Sequence, residues 1–172
     1  TAQVHSGVDE ANLPGAKQSP LGLYLSPRAA HEALESDPSI TFIDVRDPIE
    51  IQYVGHPHGI DAIVPLRVAT HRINPETGQY LSLDNENFIA DVTQRIADFG
   101  RHRDAPVFVT CRSGRRSAVA VRMLASEGYT NVWNLVEGFE GDRDPMGRRA
   151  LNGWRNAGLP WAYRLENGVA WE

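Results

Sequence analysis

The sequence predicts an α/β protein with a mainly parallel central sheet flanked by helices on both faces, and three observations carry that expectation. Runs dominated by β-branched and aromatic residues stand at 40–45, 107–109 and 132–136, too apolar to leave one face wet, as is usual for parallel strands buried on both sides. Between the later runs lie stretches of helical spacing, such as Phe88, Val92, Ile96 and Phe99, so that strands alternate with helices. At 172 residues the chain fits one domain, large enough to bury about 70% of its unfolded surface without disulfides.

In order, residues 1–22 mix Gly7, Pro14, Gly15, Pro20 and Gly22 with polar residues and show no period, which predicts an extended N-terminal arm. A short edge strand is expected at 23–25. Ser26-Pro27 then reads as an N-cap with proline at the first helical position, opening a helix to about Glu35 that Asp37-Pro38 ends. The strand at 40–45 follows, and a third short one at 61–65. Residues 66–84 are polar and turn-forming, with Asn74-Pro75 and Thr77-Gly78-Gln79 marking a turn or hairpin. Asp84 is the expected N-cap of the next helix, whose stripe Phe88, Val92, Ile96 and Phe99 faces the core and which Gly100 closes. The strand at 107–109, a helix carrying Ala118, Val121, Leu124 and Ala125, its cap Gly128, and a last strand at 132–136 complete the pattern. Trp154, Trp161 and Trp171 read as packing residues.

Composition narrows the function. A net charge of −5 and a pI near 5.7 give no general attraction to nucleic acid or to anionic membranes. No run approaches the roughly 18 apolar residues of a membrane span. The single cysteine excludes an internal disulfide and a cysteine-rich zinc site. His56 and His58 find no third ligand at a recognisable spacing, so no metal is expected, and no motif calls for a cofactor. The start at Thr1 rather than methionine favours an exported, periplasmic location over a cytoplasmic one, and no signal peptide is visible.

The chemistry concentrates in one place. Cys111 ends a buried strand and is followed by Arg112, Ser113, Gly114, Arg115, Arg116 and Ser117, where a helix begins. A loop ahead of a helix N-terminus aims backbone N–H groups and the positive end of the dipole into one concavity, which suits anions. A thiolate is stabilised there, the arginines push the same way, and Cys111 is expected to be ionised. The cradle's larger contribution is to hold an anionic substrate and the sulfur species left on the cysteine. Gly114 supplies the positive φ of the turn. The plainer alternative is a buried strand-end thiol in an ordinary loop.

The stretch Cys-Arg-Ser-Gly-Arg-Arg-Ser at 111–117 resembles the active-site loop of the rhodanese family, and the resemblance extends to Asp44-Val45-Arg46, Glu50, Gly55-His56, Gly153-Trp154 and Gly158-Leu159-Pro160. It covers roughly residues 23–161 and implies a rhodanese-like α/β fold over 23–165, with a C-terminal tail at 166–172. It further implies a persulfide on Cys111, a six-residue loop running to Arg116, and transfer of sulfane sulfur from thiosulfate or a similar small anionic donor to a thiol or protein acceptor. Arg116 and the loop amides would hold the persulfide, and Arg112 and Arg115 would meet the donor. Asp44 and Arg46 would be scaffold, Asp44 bonding near the loop and Arg46 pairing with Glu50; a catalytic base at Asp44 is the alternative. Two segments, 67–83 and 142–152, look longer than the family's connections, and either line the approach to Cys111 or are tolerated surface insertions. The rival readings are a phosphatase or arsenate-reductase-like enzyme, disfavoured because the arginine those enzymes place six residues after the cysteine is Ser117 here, and a non-catalytic binding or persulfide-carrier module.

Overall fold

The computed structural model describes residues 6–172, so the first five residues of the expected arm lie outside the described residues. The chain runs β1 (Tyr24–Leu25), α1 (Pro27–Ser36), β2 (Thr41–Asp44), α2 (Pro48–Val54), β3 (His56–Pro57), β4 (Ala62–Ile63), β5 (Arg67–Asn74), β6 (Gln79–Asp84), α3 (Phe88–Asp98), β7 (Val107–Thr110), α4 (Arg115–Ser126), β8 (Val132–Leu135) and β9 (Trp161–Ala162). Five strands form an all-parallel sheet in the order β1-β8-β7-β2-β4, which puts β7 at its centre.

Strand alternation sends side chains to two cores, one on each face. Ile43, Val107 and Val109 pack with Val92 and Ile96 of α3 and Val121 and Leu124 of α4. Phe42, Phe108 and Leu135 pack with Ala29 and Ala30 of α1, Ile51 of α2, and the fully buried Trp154. The sheet is therefore covered on both faces.

Helix starts follow local chemistry. Ser26 Oγ accepts from Ala29 N ahead of Pro27. Asp47 and Glu50 form a reciprocal capping box with Pro48 between them, which is the sequence signal for α2, a helix the periodicity does not announce. The expected N-cap at Asp84 is replaced by Asn87, because Asp84 belongs to β6 and its carboxylate accepts from Arg67 Nε at 2.6 Å. Phe88 is buried as expected, whereas Phe99, one residue past α3, is 41% exposed under the Arg101 guanidinium.

The polar stretch after β4 is an antiparallel hairpin of β5 and β6 whose second strand is exposed throughout. The strand at 132–136 is not the last: β9 pairs with β3, too short a run to show a period. Gly153 and Trp154 lie in successive bends and turns, while Trp161 and Trp171 are each more than a third exposed. Residues 10–17 carry two single-turn 3-10 helices, and Leu13 packs on Tyr24 and Val136. Near the other terminus, Val169 accepts from Ile63 N and packs into the core beside β4.

Candidate active site at the end of the central strand

Cys111 follows directly on β7 and so stands at the carboxyl end of the central strand, where open α/β sheets gather their ligands. The loop after it is locked from both sides. Gly114 has φ +90, and a Cβ there would come within 2.2 Å of the Val136 carbonyl oxygen, so only glycine fits. Across the loop, Phe139 N donates to Cys111 O and Glu140 N to Arg112 O, at 2.8 and 2.9 Å. Gly138 permits that approach, since a Cβ on it would lie 2.6 Å from the backbone of Cys111 and Arg112.

The sulfur is buried, with Cys111 only 1% exposed. Its Sγ accepts from Gly114 N at 3.2 Å and lies 3.2 Å from Ser117 Oγ. Ser117 in turn donates to Asn134 Oδ1 at 2.6 Å. Asn134 cannot be turned round, because its Nδ2 donates to two carbonyls, Lys17 O at 2.9 Å and Gly114 O at 3.0 Å. With its proton on Asn134, Ser117 presents a lone pair to the sulfur. Asn134 is a site residue that sequence reading missed; the available signal was an amide in the middle of a buried strand, which demands partners.

The charged residues pair differently from expectation. Arg46 does not reach Glu50 for a bond: its backbone N, Nε and one terminal nitrogen all donate to Asp44, at 2.7 to 3.1 Å, and that nitrogen also donates to Gly55 O. Both side chains are fully buried, and the guanidinium lies 4.6 Å from the centre of the Phe139 ring. Burial weakens the charge on Arg46, but Asp44 outweighs it and holds the group above its ordinary pKa. Both carboxylate oxygens of Asp44 thus accept from Arg46. Glu50 instead takes both terminal nitrogens of Arg116, at 2.6 and 2.7 Å. Burial raises the Glu50 carboxyl, and the bonds and charge of Arg116 bring it below its usual range. Arg116 is raised despite its burial, by Glu50 first and by the nearby Cys111 after it.

Beside the loop is a cavity of about 450 Å³ lined by Arg112, Ser113, Arg115, Asp142, Arg143 and Arg149. The 142–152 segment thus borders the site, while the β5–β6 hairpin lies outside this lining. Asp142 is held by Lys17 at 2.9 and 3.0 Å and accepts from Asn152. Arg148 turns away to Asp144. His56 faces the carbonyls of Pro57 and Arg164, and among the described residues no group of three His, Cys, Asp or Glu is placed to hold a metal ion.

The family of rhodanese-like domains matches residues 26–144. Among solved structures, the crystal structure of Rv0390 from M. tuberculosis is similar with TM-score 0.64 and 32% identity, covering 82% of this chain and 97% of that one. The polysulfide-sulfur transferase homodimer of Wolinella succinogenes shares the fold with TM-score 0.54 at 23% identity, over 89% of this chain and 85% of its own. Among curated proteins, the thiosulfate sulfurtransferase GlpE of Haemophilus influenzae is 27% identical over 117 residues, 68% of this chain and 84% of its own length. An uncharacterised Rickettsia rickettsii protein is 29% identical over 134 residues, 78% of this chain and 92% of its own length.

Proposed function

This chain belongs to the family of rhodanese-like domains, and from that premise we propose that it is a sulfurtransferase that carries sulfane sulfur on Cys111. The observation that carries the reading is the setting of the only cysteine: at the end of the central strand, with Gly114 N–H on its sulfur and arginines lining the adjoining cavity. Once the Cys111 proton has passed to solvent, the thiolate attacks the outer sulfur of thiosulfate or a similar donor. The donor's S–S bond breaks with its electron pair on the departing sulfite, and a persulfide is left on Cys111. A thiophilic acceptor then takes the outer sulfur and the pair returns to Sγ. With no second cysteine, the persulfide cannot collapse into an internal disulfide. The phosphatase reading is disfavoured: where those enzymes place a phosphate-gripping arginine stands Ser117, a buried hydroxyl committed to Asn134.

The test is intact mass. Thiosulfate should add one sulfur atom, cyanide should remove it as thiocyanate, and Cys111→Ser should abolish both while keeping the fold. Transfer by Cys111→Ser near the parent's rate, or a parent whose mass thiosulfate leaves unchanged, would sink the proposal.

A further inference from the structure

The arginines beside the catalytic loop differ from the others around the site. Arg46, Arg116 and Arg148 each hold a carboxylate. Arg112, Arg115, Arg143 and Arg149, which line the cavity together, hold none among the described residues; Arg149 donates to a backbone carbonyl, that of Gly141. The single carboxylate in the lining, Asp142, is already neutralised by Lys17. Arg149 is pulled below its ordinary range by burial and then by the charges of Arg112 and Arg143, so these cations feel one another. Glu140 and Asp142 offset part of that repulsion on Arg149, and like charges gathered in one concavity and only partly offset are unfavourable until an anion enters.

Size narrows the class of anion. At about 450 Å³ the cavity falls within the roughly 300–1,000 Å³ that enclose a whole small-molecule ligand, more space than a thiosulfate ion fills. Two of its walls are different parts of the chain: the catalytic loop brings Arg112 and Arg115, and the 142–149 segment brings Arg143 and Arg149. A ligand between them has cations on both sides, and Arg112 and Ser113 place it next to Cys111.

We infer that this cavity binds a low-molecular-weight thiol with two or more anionic groups apart from its sulfur, the second substrate of the sulfurtransferase proposed above, on which this assignment rests. Arg143 and Arg149 hold the remote anionic groups while the thiol sulfur points to the loop. The acceptor's thiolate attacks the outer sulfur of the Cys111 persulfide. The bond to Sγ breaks with its electron pair returning to Cys111, and the acceptor leaves as a persulfide; one sulfur atom moves, and no oxidant or reductant is consumed. Carboxylates of a peptide thiol and phosphates of a nucleotide thiol offer the same chemistry to guanidinium groups.

Two measurements on the full chain separate this inference from the reading beneath it. The first is calorimetric binding of two unreactive probes, S-methylglutathione for the carboxylate class and S-methyl coenzyme A for the phosphate class, against a neutral methyl thioether. The second loads the protein with thiosulfate, removes the excess, and follows discharge by glutathione, coenzyme A and 2-mercaptoethanol at matched thiolate concentration. At least one anionic probe should bind, more weakly as salt rises, while the neutral one does not. Arg143→Ala and Arg149→Ala should each weaken binding about tenfold, the loss expected for one charge-assisted contact, while Arg149→Lys retains most of it. The same alanine variants should raise KM for the anionic thiol by a similar factor and move that of 2-mercaptoethanol less than twofold. The inference falls if neither anionic probe binds better than the neutral one, or if the alanine variants alter neither binding nor the ratio of KM values. Binding of an anionic probe without sulfur loading would uphold the cavity as an anion site and overturn the sulfurtransferase reading, and with it the acceptor role. Loading without probe binding would do the reverse.

Discussion

Asn134 decides which way the hydroxyl of Ser117 faces, and through it what Cys111 meets. Its Nδ2 satisfies two buried carbonyls, so its Oδ1 must receive the Ser117 proton. Aspartate has the same shape and no such donors. Asn134→Asp should therefore leave the carbonyls of Gly114 and Lys17 unpaired against a buried negative charge. At about 1–3 kcal/mol for each unsatisfied group, it should lose about 3 kcal/mol or more at pH 7, and more than Asn134→Ala loses. Acidification should recover part of the loss, since a protonated carboxyl donates one hydrogen bond. Urea denaturation of the two variants at pH 7 and pH 4 measures this. If Asn134→Asp matches the parent's stability, the amide is not oriented as described.

Between elements, the bond that matters most to the site joins α2 to α4 through Glu50 and Arg116. Glu50→Gln tests it without disturbing the cap, since glutamine also serves in a capping box. The folded Glu50 carboxyl lies below its ordinary value, so its ionised form adds stability fully above the unfolded pKa of about 4.3, and that stability is lost as pH falls through the folded value. The gap between parent and Glu50→Gln should be about 2 kcal/mol at pH 7, should narrow once pH drops below about 4.3, and should close at more acid pH. A gap of the same size at pH 3 would mean the charge is not what holds the two helices. The strand, loop and helix around Cys111 were legible because each is announced by adjacent residues: apolar run, glycine, helical period. α2 has seven residues and buries only Ile51, so no stripe reveals it and only its capping box remains. Ion-pair partners were not legible. Arg46 and Arg116 are both arginines within reach of acids, and only the packed fold assigns Asp44 to one and Glu50 to the other.

At the scale of the molecule, the parallel sheet and its two covered faces were legible in outline, because buried strands and amphipathic helices alternate along the chain; the order of the strands was not. The closure of distant segments around the site was not. The arm shows no period, yet Lys17 is buried with its ammonium on Asp142, 125 residues away, and its carbonyl on Asn134. Burial raises the Asp142 carboxyl, and Lys17, Asn152 and Arg115 bring it below its usual range, so the pair contributes stability above the unfolded carboxylate pKa of about 4 that is lost on acidification. Because the Asp142 side chain is 39% exposed, solvent screening limits that contribution to about 1 kcal/mol. The larger consequence is for the cavity. Lys17→Met removes the charge that neutralises Asp142 and leaves a carboxylate among the arginines, where it repels any incoming anion. The variant should therefore raise KM for thiosulfate about two- to threefold at low ionic strength, with a smaller change in kcat, and the difference should close near 1 M salt, where the screening length is about 3 Å. Adding Asp142→Asn should return KM towards the parent's value, because it removes the unbalanced charge without restoring the lysine. If Lys17→Met keeps the parent's KM at low salt, or if Asp142→Asn leaves a raised KM where it was, the arm does not set the charge of the cavity.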